Sequence, residues 1–163
     1  LRLGDSLPVE GMARVLVAGA VPAARVVGDA LVIPARYAQS PARPAKAFLK
    51  LLARDRLTAA SDAYAARLGR SYTRLTLRDT RSRWGSCSST GGLSYSWRLA
   101  MAPPDVLSYV AAHEVSHLAQ MNHSPAFWAT VARLMPGYEA PRAWLRAHGA
   151  ALQRIVLDAP PGV

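Results

Sequence analysis

The chain has 163 residues, 51% hydrophobic and 18% charged, with one cysteine. That composition excludes a disordered chain and an intrachain disulfide framework, and it makes a reducing, cytoplasmic setting the expectation. The formal net charge of +10 is concentrated: twelve Lys/Arg stand against three Asp between Arg43 and Arg98, and eight against seven acids elsewhere. A basic half of this kind suits an acidic partner, nucleic acid among them, or a solvated cationic face. The longest apolar run, Val15 to Val27, is broken by Pro22 and Arg25 and is too short to span a bilayer, so no membrane partner is expected.

Residues 13–18 and 24–33 read as short strands, with Gly28-Asp29 able to turn a hairpin. Residues 40–68 read as a long helix, because Ala45, Phe48, Leu49, Leu52, Ala60 and Tyr64 fall near one face; Gly69 marks its stop. Leu75 and Leu77 alternate with Thr and Arg in a half-buried strand over 72–80. Residues 82–87 and 92–97 flank a turn-rich Ser88 to Gly92 and predict an antiparallel hairpin. Helical periodicity begins at Pro104, a residue suited to the first helical position. A further helix starts at Ser124-Pro125, a cap followed by proline, and a last one runs from about Tyr138 to Leu152. Strands first and helices later predict an α+β fold.

The segment His113-Glu114-Val115-Ser116-His117 carries the chemistry. Residues four apart share a helix face, so two imidazoles can reach one metal ion. Glu114, a third of a turn away, is placed to take a proton from a water that zinc has acidified. Catalytic zinc typically has three protein ligands, and His123, six residues on, is the favoured third; Glu139 is the alternative. In this reading Asn122 takes left-handed geometry and turns the chain back. The His117-to-His123 spacing equals that of the metzincin pattern, but Gln120 stands where that pattern has glycine. Tyr138, Arg98 and His148 are candidates to stabilise a transition-state oxyanion, and Tyr109 could brace His113, although packing explains it as well. Cys87 could be a thiol near the metal, a fourth ligand closing a purely structural site, or a small residue at a strand end.

Arg83-Trp84-Gly85-Ser86-Cys87, Trp97-Arg98-Leu99, Tyr109-Val110 leading into the His-Glu-x-x-His segment, and Asn122-His123-Ser124 with Phe127-Trp128 resemble the YgjP-like metallopeptidase family, a relative of the SprT-like zinc proteases. The resemblance is dense from about Arg81 to Leu145. It implies a zincin-type fold, with an antiparallel sheet packed on the active-site helix. It implies one zinc ion held by His113, His117 and His123, and Glu114 as the catalytic carboxylate. The expectation is therefore a single zincin-like domain over 1–163. Its parts are N-terminal strands in 1–40, the long helix in 41–69, a β-hairpin sheet in 70–100 and a helical metal-binding half in 103–155. Its expected work is zinc-dependent hydrolysis of peptides or proteins, with an extended substrate adding to a sheet edge at 92–97. The rival expectations are a basic, nucleic-acid-associated SprT-like protein acting on DNA-bound proteins, and a metal-binding domain without turnover.

Overall fold

A computed structural model describes residues 1–158. The chain order is β1 (Ser6–Val9), β2 (Met12–Gly19), β3 (Arg25–Val27), β4 (Ala30–Pro34), α1 (Ala42–Leu68), β5 (Arg74–Arg78), β6 (Gly85–Cys87), β7 (Gly92–Ser96), α2 (Pro104–Ser116), α3 (Pro125–Leu134) and α4 (Glu139–Gln153). Short 3-10 turns follow β4 and β7. The α+β class is as expected, and most elements lie within two or three residues of their expected bounds.

The strands form two small sheets, in the orders β1-β2-β4-β3 and β5-β7-β6. Both are mixed rather than wholly antiparallel: β2 pairs parallel with β4, and β5 pairs parallel with β7. The 82–87 and 92–97 segments do form the antiparallel hairpin, with Gly85 opposite Tyr95. Because β6 takes the outer place, residues 92–96 are the central strand and not an edge, which corrects the expectation of substrate addition there. A strand paired on both sides has no backbone groups left to offer a peptide.

Four N-terminal residues not expected to pair, Ser6–Val9, form β1. The Glu10-Gly11 turn joining β1 to β2 has positive φ at both residues, 49° and 82°, as a tight primed hairpin turn requires. Its backbone N–H groups donate to the carbonyls of Ala100 and Met101 at 2.8 and 3.0 Å. A Cβ on Gly11 would lie 3.0 Å from Pro103, so glycine also permits this close approach. The first sheet is thereby docked directly beside the start of α2.

α1 buries a stripe repeating every fourth residue: Ala45, Leu49, Ala53, Leu57, Ser61 and Ala65. Ser61 is tolerated because its hydroxyl pairs with that of Tyr95 at 2.9 Å, and Tyr64 reaches the Ser108 hydroxyl at 2.6 Å. These two bonds tie α1 to β7 and α2. Gly69 caps the helix in left-handed geometry, φ 73°. Leu7, Leu16, Leu31, Ile33, Leu49, Leu57, Leu93 and Leu99 are fully buried in one cluster with Ala111, Ala112 and Val115 of α2. Each such Leu or Ile contributes about 1.5–3 kcal/mol. α2 is therefore packed against α1 on its apolar side, and the side that faces β6 is left for chemistry. Among the described residues no helix is long and apolar enough to cross a membrane.

Candidate active site

α2 begins with Pro104 at its first position and ends at Ser116; His117 is its C-cap. Residues 117–119 continue as tight turns, His117 N–H donating to the Glu114 carbonyl and Leu118 N–H to that of Val115. The turn to His123 does not use left-handed backbone at Asn122, contrary to expectation: among the described residues the one non-glycine residue with positive φ is Glu10. Ser124 caps α3 as expected, its hydroxyl accepting from Phe127 N–H at 3.3 Å. That cap sends Phe127, fully buried, back among the histidines. Its ring stacks on His117 at 4.4 Å and stands edge-on to His113 at 5.0 Å.

His113, His117 and His123 bring one ring nitrogen each to within 4.8 Å of one another. The Nε2 atoms of His113 and His123 are 3.3 Å apart. Two nitrogens on a tetrahedral zinc, each about 2.0–2.1 Å from it, would be separated by about 3.3 Å. The outward nitrogens are engaged: His117 Nδ1–H donates to the Gln120 carbonyl at 3.0 Å, and His113 Nδ1 lies 3.3 Å from the Tyr109 hydroxyl. The carbonyl on His117 Nδ1 leaves the Nε2 lone pair free for a cation, the tautomer a ligand needs, and the Tyr109 hydroxyl can accept from His113 Nδ1–H to the same effect. By donor chemistry and spacing, the residues fit a divalent cation. Glu139 is exposed in the first turn of α4 and is not part of the group.

The histidines line a cavity of about 500 Å³ between α2, β6 and α4. Glu114 is 6% exposed, and among the described residues it is the one carboxylate lining that cavity. Burial raises its pKa to about 8, the nearby Arg83 charge drawing it partly back. Burial likewise lowers His113 to about 4, helped by His117, His123 and Arg142, and pushes His117 down. Glu114 Oε2 sits 4.0 Å from His113 Nε2, but both groups are held neutral near pH 7, so this contact is not an ion pair.

Other expected residues fall in several places. Tyr109 reaches His113 as described. Tyr138 is sandwiched between the rings of Tyr109 and Trp128, at 6.2 and 5.6 Å, and does not line the cavity. Arg98 is buried elsewhere: its guanidinium donates to Asp79 at 2.7 Å and to the carbonyls of Leu152 and Ile155 at 2.9 and 2.7 Å, tying the end of α4 to β5 and β7. This removes it from any oxyanion role. His148 is exposed and packs on Trp144. Cys87 lines the cavity but stands outside the histidine group. Burial, then the Glu114 charge, pushes its thiol up to about 11, so it is no ready thiolate.

Sequence reasoning found no chemistry in Arg83 or Gly85, yet both line the cavity. A Cβ on Gly85 would lie 2.9 Å from Glu114 Cγ and 3.0 Å from its Oε2. The available signal was a glycine inside a short strand, which marks close approach of another group.

The profile of the family described as YgjP-like, metallopeptidase domain, matches residues 21–148, and the chain belongs to that family. It is accordingly a metallopeptidase, and its family implies a metal ion at a site of this kind. Among solved structures it is similar to the metallopeptidase zymogen of Pyrococcus abyssi abylysin, at 21% identity and TM-score 0.48, over 64% of this chain and 99% of that one. No curated protein matches.

Proposed function

We propose that the whole chain acts as one zinc-dependent peptidase domain of the cytoplasm, with His113, His117 and His123 as metal ligands and Glu114 as general base. The observation that carries this reading is the convergence of three imidazole nitrogens, within 4.8 Å of one another, in the cavity that also holds the buried Glu114 carboxyl. Zinc at these imidazoles would supply Lewis acidity, bringing the pKa of water toward about 7 and polarising the scissile carbonyl. The charge of a bound cation would favour the ionised form of Glu114, and in that form Glu114 Oε2 takes the proton from the attacking water and later delivers it to the leaving amine nitrogen. Its burial supports both halves of that task, because a carboxyl tuned toward neutrality can both accept and return a proton. Tyr109 holds His113 in the ligating tautomer, and Phe127 fixes the ring planes of His113 and His117. Three neutral imidazoles suit zinc by ligand type.

The test combines elemental analysis with turnover of a fluorogenic peptide. The wild-type chain is expected to hold one zinc, and His123→Ala to lose most of it. Glu114→Gln is expected to keep zinc while losing about 10²–10⁴-fold in kcat. Full activity in Glu114→Gln would refute the assignment of the base, and full zinc retention in His123→Ala would refute the third ligand.

A further inference from the structure

The charges outside the histidine group are arranged along a path. Arg83 lines the active-site cavity. It also lines a small hollow of about 40 Å³ on the face of the second sheet, with Arg78 at the far side. Arg78 in turn borders a cleft of about 330 Å³ between α1 and β5, whose other wall carries Lys46, Lys50 and Arg54. Neighbouring depressions thus share lining residues, Arg83 between the first two and Arg78 between the last two, which lays a series of cations from the histidine cavity to α1.

That surface is cationic and largely unneutralised. Lys46, Lys50 and Arg54 are spaced four apart, so their side chains project from one side of α1. Asp79, the acid in the α1–β5 cleft, is held by Arg98 at 2.7 Å, and Lys46 is held by Asp158 at 3.1 Å. Lys50, Arg54, Arg78 and Arg83 form no ion pair among the described residues. Parallel like charges on one helix side repel, and a bound anion removes that repulsion.

We infer that the substrates of this peptidase are peptides carrying an acidic run on one side of the scissile bond, seated along the path from Arg83 over Arg78 to Lys50 and Arg54. The inference rests on the peptidase reading above and names its substrate class. The length of the run follows from the geometry. From β6 to β5 is two strand spacings, about 10 Å. Lys50 to Arg54 adds about 6 Å along α1. At about 3.3 Å per extended residue, these two stretches alone call for at least roughly five acidic residues, and the crossing of the cleft from β5 to α1 lengthens the run. A nucleic acid could meet the same cations, but one feature favours a peptide: the path leads to the cavity of a peptidase.

The experiment uses the full zinc-loaded chain carrying Glu114→Gln, so that binding is read without cleavage. Fluorescein-labelled peptides differ only in about five residues on one side of a common centre, which are acidic, neutral or basic. Their anisotropy is followed at low and high salt. The acidic peptide is expected to bind at least about tenfold tighter than the neutral one at low salt, with the advantage shrinking as salt rises. The double reversal K50E/R54E is expected to abolish most of that advantage, and R83E to invert it toward the basic peptide. Both reversals lie on exposed side chains, and melting temperatures check that the fold is retained. Equal binding of acidic and neutral peptides would overturn the inference, as would an undiminished preference in both reversed variants. An oligothymidylate that binds more tightly than the acidic peptide, and is not displaced by it, would overturn it in favour of nucleic acid. Failure of the peptidase reading looks different: the acidic preference in binding would persist while the wild-type chain cleaves none of the peptides.

Discussion

Replacing Gly85 by alanine tests whether the position of Glu114 is set by the strand beside it. The backbone of Gly85 lies outside the left-handed region, so alanine adds no conformational strain and acts through its methyl group alone. That methyl would sit 2.9 Å from Glu114 Cγ, 3.0 Å from Oε2 and 3.2 Å from Cδ. Ordinary carbon contacts are about 3.5–4.0 Å, so the carboxyl must retreat by more than half an ångström. At 6% exposure it has no solvent to retreat into except the cavity. Overpacking of this kind costs about 1–3 kcal/mol of stability, and displacing a catalytic group by about 1 Å costs about 10²-fold in rate. None of the close contacts at Gly85 is to a histidine, so zinc should remain. The assay is kcat and KM on a fluorogenic peptide, beside metal content and urea melts of the same sample. The expected outcome is full zinc, a modest drop in stability and a kcat loss of about two orders of magnitude with little change in KM. Wild-type kcat in Gly85→Ala would refute the argument, because it would mean that the Glu114 carboxyl is not constrained by β6.

The metal-free protein should lose stability as pH rises from 6.5 to 8. Glu114 has a folded pKa of about 8 against an ordinary 4.5, so its contribution is fully present below 4.5 and is lost as pH rises through 8. His113 runs the other way, from 6.5 down to about 4, and loses stability only as pH falls below 6.5. Above 6.5 the Glu114 contribution therefore stands alone and is worth about 2 kcal/mol over that window. Urea melts of chelated wild type and Glu114→Gln should diverge there; identical pH dependence in the two would contradict the buried carboxyl. Tyr109→Phe removes the hydroxyl 3.3 Å from His113 Nδ1 and should weaken zinc binding by about 10–100-fold while the fold is kept, as read by competition with a chromogenic chelator. Unchanged affinity would reduce Tyr109 to a packing residue.

The sequence by itself determined what is local. Pro104 at the head of α2, Ser124 capping α3 and Gly69 ending α1 act through a few neighbouring residues, so these helices were legible without tertiary context. Two of the three histidines and Glu114 were legible for the same reason: their relation is a matter of helical spacing. His123 needed only a short turn, although that turn is built from the tight bonds of residues 117–119 and not from a left-handed Asn122. The tertiary structure alone decided what depends on residues distant in the chain. Strand order is one such matter: β7 became central because β6 took the outer place while β5 paired parallel from the other side. The role of Arg98 is another, since Asp79 and the carbonyls of Leu152 and Ile155 claim its guanidinium from far along the chain. Gly85 beneath Glu114 and the row of cations from Arg83 to α1 belong with them. Spacing along a helix is a property of the chain, whereas the meeting of a strand, a helix and a distant charge is settled only when the hydrophobic cluster closes and brings them together.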